Sequence, residues 1–340
     1  MRKYLLPEAG NFYKANMHCH TNISDGCLTP EEVKAEYVAR GYSIVAYTDH
    51  NTLVSHNDLS DESFLALNGF EVDILDELRG RPINHVKTCH ICLVALSPDN
   101  LTQVCFHRKK YIDAPREIFS TIKYDEDKPD FERVYTPECI SEIMKTGRDN
   151  GFFVTYNHPM WSLEDYRDYS KYFGMHAMEI CNYGSYVTGM YEYNPHVYDE
   201  LLREGRRIYC VAGDDNHNPL PTNNPKTDSF GAFTMIKAEK LDYESVAKAL
   251  LEGNFYASQG PKITALWVED GEVHIECEDA AYINFNTNGR RRYSVYAQGA
   301  DPLTHASFKI LDEDIYVRVS VVDKCGKIAN TNAYFVDEFI

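Results

Sequence analysis

The chain has no apolar run near the roughly 20 residues that a bilayer-spanning helix requires. Tyr4-Leu5-Leu6, ended by Pro7 and Glu8, is too brief for the apolar core of a secretory leader. Basic residues are scarce, 34 Lys and Arg against 52 Asp and Glu, for a net charge of -18. Such a chain repels phosphate backbones and anionic headgroups, so neither polymeric nucleic acid nor a membrane surface is an expected partner. Cys89-His90-Ile91-Cys92 has no second Cys-x-x-Cys to complete a four-thiolate zinc site. On a strand its two sulfurs would face opposite sides. Ten cysteines without a leader predict a reduced, cytoplasmic chain in which they serve as small buried apolar residues. Neither an internal repeat nor a low-complexity segment occurs.

What is present is a core-forming chain, 44% hydrophobic over 340 residues. That length suits one large α/β barrel, or a barrel of about 250 residues with a small second domain. From Lys14 to about Ser258, β-branched apolar runs alternate with helical patterns. Strands are predicted at Ser43 to Tyr47, Phe64 to Glu71, His90 to Leu96, Phe152 to Asn157, Ala177 to Cys181 and Ile208 to Ala212. Helices are predicted at Pro30 to Arg40, Thr136 to Asp149, Glu164 to Tyr172 and His196 to Glu204. The first of these opens with Thr29 as cap, Pro30 at the first position and Glu31-Glu32 in the first turn. Strand alternating with helix predicts a parallel sheet, rolled into a barrel or distorted barrel. After Gly260-Pro261 the pattern turns all-β, with hairpin turns at Asp270-Gly271 and Asn288-Gly289 and alternation from Ile315 to Val321. The expected division is a barrel over 1–258 and a β-sandwich-like domain over 259–340.

The stretch 98–135 fits neither pattern and is expected to be an insertion. In an acidic chain it carries His107, Arg108, Lys109, Lys110, Arg116 and Lys123. Loops of this length in compact domains are often functional.

The chemistry concentrates at the ends of predicted strands. His18 and His20 flank Cys19 on an extended run, where residues two apart share a face and two imidazoles can close on one ion. Asp25 follows in the next loop, His50 closes Thr48-Asp49-His50, and Glu71 closes Gly69-Phe70-Glu71. His90 lies in the next strand, His158 in Asn157-His158-Pro159, and Asp215 and His217 in Asp214-Asp215-Asn216-His217. Six histidines and three carboxylates at the active end of one barrel point to metal ions. Cys19 and Asp214 are expected to face away from them, Asp49 to orient a ligand, and Glu179 and Asn182 to buttress one.

The order His-x-His, Asp-Gly, Thr-Asp-His, Glu, His, Asn-His-Pro, Asp-x-His resembles the polymerase and histidinol phosphatase (PHP) domain of metal-dependent phosphoesterases, over about residues 14 to 258. The β-rich tail, with Asp-x-x-Gly and Thr-Asn elements between Val319 and Asn332, is similar to the carbaryl-hydrolase-like branch of that family. The resemblance implies a distorted seven-stranded (β/α)7 TIM-like barrel holding two or three divalent ions. It assigns His18, His20, Glu71 and Asp215 to one ion, Glu71, His90 and His158 to a second, and Asp25, His50 and His217 to a third. Mixed imidazole and carboxylate ligation suits Zn, Mn or Fe without choosing among them.

The expected activity is phosphoester hydrolysis of a small phosphorylated metabolite or nucleotide through a metal-bridging hydroxide, with Glu71, Asp215 and His217 as the residues on which turnover depends. His56 and His107 are candidates to protonate a leaving group, and Arg108 and Arg116 to seat the phosphate. Two other readings stay open: a carboxylic or carbamate ester hydrolase using the same centre, and a non-catalytic, metal-stabilised binding module. The sequence leaves the oligomeric state unspecified.

Overall fold

The computed structural model describes residues 2–339. Ten strands precede the tail: β1 (Lys3–Tyr4), β2 (Asn11–Asn16), β3 (Ile44–Tyr47), β4 (Leu65–Leu75), β5 (Thr88–Ala95), β6 (Phe152–Tyr156), β7 (Ala177–Asn182), β8 (Tyr209–Gly213), β9 (Phe233–Ala238) and β10 (Phe255–Ser258). Eight follow: β11 (Ile263–Glu269), β12 (Glu272–Ala280), β13 (Tyr282–Thr287), β14 (Arg292–Tyr296), β15 (Leu303–Lys309), β16 (Tyr316–Val322), β17 (Ile328–Thr331) and β18 (Tyr334–Phe335). The predicted helices start where their caps place them. Thr29 Oγ1 accepts the Glu32 N–H while Glu32 accepts the Thr29 N–H, opening Pro30–Val38 as a capping box. Thr136 caps Pro137–Asp149, whose Ile140, Ile143 and Met144 bury one stripe. The helix expected over 164–172 is a single turn, Tyr166–Tyr169.

A long mixed sheet runs in the order β14-β13-β16-β17-β10-β9-β2-β3-β4-β5-β6-β7-β8, with β18 beside β16. Strands β2, β3 and β4 are parallel, as are β6, β7 and β8, but β5 runs against both β4 and β6. The wholly parallel sheet expected from the alternation is corrected here. A parallel return needs a crossover of a dozen or more residues, usually helical, whereas the link from β4 to β5 contains only a 3₁₀ turn at Ile83–His85. Strands β2 and β8, the outer members of this seven-strand run, share no ladder. Just beyond them the backbone does join: Asp215 N–H donates to His18 O at 2.9 Å, His20 N–H to Asn216 O at 3.1 Å, and Cys19 bridges Asn216 in parallel.

In the tail, Asp270 and Gly271 take positive φ of 51° and 78° to turn β11 into β12, as a type I′ hairpin demands. A second sheet, β1-β11-β12-β15, packs on the tail strands of the first. Ile275, Phe285, Phe308 and Val319 share a core that continues to Tyr37 and Tyr47. Two connections tie the tail to the rest: β17 pairs with β10, and β1 lies in the tail's own sheet against β11. Buried polar groups add to them. Asn332 Nδ2 donates to Gly253 O and Phe255 O, and Arg318 grips Asp199 through two 2.8 Å bonds.

Candidate metal centre

Each residue of the candidate site comes from the same end of β2 to β8. Beyond Asn16 the backbone stays extended, which buries Cys19 in the core and puts the His18 and His20 Nε2 atoms 3.1 Å apart. Asp25 is brought back by a tight loop in which a Cβ at Gly26 would lie 2.7 Å from the His20 carbonyl. Asp49 shapes that loop rather than His50, its carboxylate accepting from Thr21 N, Thr21 Oγ1, Ser24 N and Ser24 Oγ. His50 bridges Glu71 in parallel. Because β5 is reversed, His90 near its start sits opposite Asp73, at the end of the sheet where Glu71 lies. His158 and Asp215 have left-handed backbone, φ 25° and 52°. Such strain in non-glycine residues persists only where surrounding contacts over-determine it.

Glu71 is the hub. Its Oε1 lies 3.1 Å from His18 Nε2, 3.2 Å from His90 Nδ1 and 3.3 Å from His158 Nε2, while Oε2 lies 3.4 Å from both His20 Nε2 and His50 Nδ1. Asp215 Oδ1 is 3.0 Å from His20 Nε2 and 3.2 Å from His18 Nε2, and Asp25 Oδ2 is 3.3 Å from His217 Nε2. All nine residues singled out in the sequence therefore gather. Donor atoms converge tightly enough for one ion in four sets: His18, His20, Glu71, Asp215; His20, Asp25, His50, His217; His50, Glu71, His90; and His18, His158, Glu179. The first two match expected groupings, the second with His20 added. The others differ, since His50 also stands beside Glu71 and His90, and His158 stands beside His18 and Glu179.

Strong electrostatic coupling runs through the cluster. Burial would raise the Glu71 and Asp215 carboxyls, but the neighbouring imidazoles, His18 first, outweigh it and hold both well below the usual range. Burial would likewise lower the imidazoles, yet the close Asp215 and Glu71 carboxylates push His20 up to about 10 and His158 to about 9. His50 goes the other way, to about 4, through burial and the positive His20. The buried carboxylates thus favour positive charge among the imidazoles around them. Divalent ions fit the same place: His20 Nδ1, His90 Nδ1 and Asp215 Oδ1 are buried without a hydrogen-bond partner, and imidazole with carboxylate is a common donor set for Zn, Mn or Fe.

A surrounding shell fixes these side chains. Glu179 Oε1 holds His18 Nδ1 at 2.9 Å, its Oε2 accepts the His158 N–H, and Asn182 Nδ2 donates to both Glu179 and Asp215. A Cβ at Gly213 would come within 2.9 Å of His18 Cβ, so only glycine lets β8 approach. Asn157 Nδ2 donates to Glu71 Oε1 at 2.9 Å. Asp214 turns away, accepting from Tyr37 and from the N–H groups of Phe230, Gly231 and Ala232.

The cluster forms the floor of a cavity of about 330 Å³, and its rim includes Trp161, Ser185, Thr188, Leu220 and Lys226. None of His56, His107, Arg108 and Arg116 lines it. His56 is buried against the Tyr47 ring, His107 contacts Glu132, Arg108 is paired with Asp130, and Arg116 is exposed on a short helical turn. The insertion reaches the site's edge through other residues: Arg133 donates to Asn51 Oδ1 and Asp73 O, and Asp113 accepts from Asn51. Lys226 has no ion-pair partner among the described residues and was not singled out by sequence. One lysine in a turn-rich loop carries no pattern.

No family model and no curated protein sequence matches the chain. Among solved structures, similarity is found to a two-domain Bacteroides vulgatus protein described as containing a predicted PHP-like metal-dependent phosphoesterase, at 14% identity over 98% of each chain with a TM-score of 0.46. A Bifidobacterium adolescentis protein assigned as a metal-dependent phosphoesterase is similar at 17% identity, over 73% of this chain and 98% of that one, TM-score 0.39. A Chromobacterium violaceum amidohydrolase with bound sulfate and no metal is similar at 18% identity, over 60% and 87% of the two chains, TM-score 0.36. At these distances the reading of this chain rests on its own residues. No helix among the described residues is long and apolar enough to cross a membrane.

Proposed function

We propose that this chain is a metal-dependent phosphoesterase of the PHP type, hydrolysing a small phosphate ester at a centre of two or three divalent ions. The observation that carries the proposal is the Glu71 carboxylate, ringed by nitrogens of His18, His20, His50, His90 and His158 at 3.1 to 3.4 Å. In this reading His18, His20, Glu71 and Asp215 hold one ion, Glu71, His90 and His158 a second, and Asp25, His50 and His217 a third. Bound there, divalent ions supply Lewis acidity toward ester oxygens and activate water at neutral pH.

The chain's own residues do the rest. Glu179 Oε1, accepting from His18 Nδ1, fixes the His18 ring with Nε2 turned to the centre. Asn157 and Asn182 keep the Glu71 and Asp215 carboxylates from rotating. Lys226 at the rim offers an uncompensated ammonium to a phosphate oxygen, and Trp161 with Leu220 gives the organic part of the ester an apolar wall. We place the hydrolase unit in residues 1–258, its seven strands β2 to β8 forming a distorted barrel, and a β-sandwich unit in 259–340.

The test is metal analysis together with parallel panels of phosphate esters and of carboxylic and carbamate esters on metal-loaded protein. Phosphate release that disappears in His20→Ala and Asp215→Ala, with fold retained, is expected. Turnover confined to the carboxylic panel would replace phosphate with the alternative substrate class. Wild-type activity no greater than that of Glu71→Ala would leave only a metal-stabilised scaffold.

A further inference from the structure

A second cavity, of about 480 Å³, lies where β2 and β9 meet the start of the tail, and it shares no lining residue with the cavity over the metal centre. Its charged lining is cationic throughout: Lys14, Arg40, Lys262 and Lys327, with no carboxylate, in a chain of net charge -18. Arg40 and Lys262 are partly answered from outside, by Glu36 at 2.7 Å and Glu278 at 3.0 Å. Lys14 and Lys327 have no ion-pair partner among the described residues. The Lys14 ammonium is nevertheless fixed, 3.8 Å over the Tyr42 ring and 4.5 Å over Phe233, while Arg40 stacks 4.0 Å over Phe230. Burial, then Lys327 and Lys262, push the Lys14 pKa down to about 8, with Asp214 opposing. Unpaired ammonium groups thus converge on one space and repel each other there.

We propose that this cavity binds a small phosphorylated anion, the phosphate dianion facing Lys14 and Lys327 and the organic part resting on Phe230 and Phe233. Two ammonium groups without ion-pair partners match one dianion, and fixed cations on aromatic faces lose little freedom when it binds. The inference is independent of what the metal centre hydrolyses.

The test is calorimetric titration of the metal-loaded protein with inorganic phosphate at low ionic strength. Wild type is expected to show a binding event that persists in His20→Ala, weakens at least tenfold in Lys327→Glu and in Lys14→Gln, survives in Lys327→Arg, and fades with added salt. Lys327 is exposed, so its variants keep the fold, and their ester turnover should equal wild type. Absence of any event that persists in His20→Ala overturns the proposal, and so does one that survives Lys327→Glu undiminished. Loss of a different event in His20→Ala reports on the metal centre alone, so failure of either reading shows in its own variant.

Discussion

Two of the buried clusters of charge in this molecule are built on different terms. At the junction with the tail, both Asp199 oxygens are answered: Arg318 Nε and Nη2 donate at 2.8 Å each, with Tyr316 at 3.3 Å and Arg292 at 3.4 Å. Around Glu71, imidazoles and carboxylates crowd together while His20 Nδ1, His90 Nδ1 and Asp215 Oδ1 have no hydrogen-bond partner. Burying charge is costly, and proteins satisfy it internally where the purpose is structural. The first cluster is complete and holds two parts of the fold together. The second is incomplete by itself, as the proposed metal centre requires.

The sharpest way to break that contrast is to change its two centres. Glu71→Ala is expected to lower phosphoester turnover by at least about 10³-fold and to deplete bound metal, with circular dichroism unchanged. Asp199→Ala should do the opposite: a loss of about 3–5 kcal/mol in urea unfolding, because Arg318 is left buried and unpaired, with metal content and turnover per folded molecule preserved. If both variants lost metal and stability together, the clusters would be one structural unit and the distinction would fail. A smaller effect sharpens it. Glu179→Gln should weaken metal affinity about 10- to 100-fold, with turnover restored by excess metal, a rescue that Glu71→Ala should not show.

Glu164 supplies the smallest test, as a buried carboxylate with neither cation nor metal. Tyr135, Tyr156 and Tyr172 donate to it at 2.7, 2.6 and 2.5 Å, yet burial pushes its pKa up to about 7. Between the unfolded value near 4.5 and this folded value, the native state binds more protons than the unfolded one. Stability should therefore fall as pH rises through that window, by about 1 to 2 kcal/mol, measured by urea unfolding at pH 5 and 7.5. Glu164→Gln should flatten the slope, and an unchanged slope would assign it to other groups.

The residues that gather around Glu71 were legible in the sequence because ligand chemistry restricts residue type and strand ends restrict position. His50, His158 and Asp215 each follow a readable apolar run, and His18 a short extended one. The residues expected to touch substrate were not legible, because the cations of the insertion, Arg108 and Lys110, take Asp130 and Glu132 from the same insertion as partners. Lys226 and Trp161, on the rim, belong to no periodic pattern. The direction of β5 was hidden because alternation of apolar residues has no sense of direction. Strand β1, only Lys3–Tyr4, is too short to show any pattern at all.

That short strand has a consequence for how the chain is made. Lys3 pairs with Val268, and Arg2 reaches Glu269, so these residues, once synthesised, wait for partners more than 260 positions later. Contacts of such separation slow folding and leave strand edges open meanwhile. A nascent chain halted at Ser258 would expose both β1 and the β17-facing side of β10, and would be prone to aggregate until the tail arrived to close them.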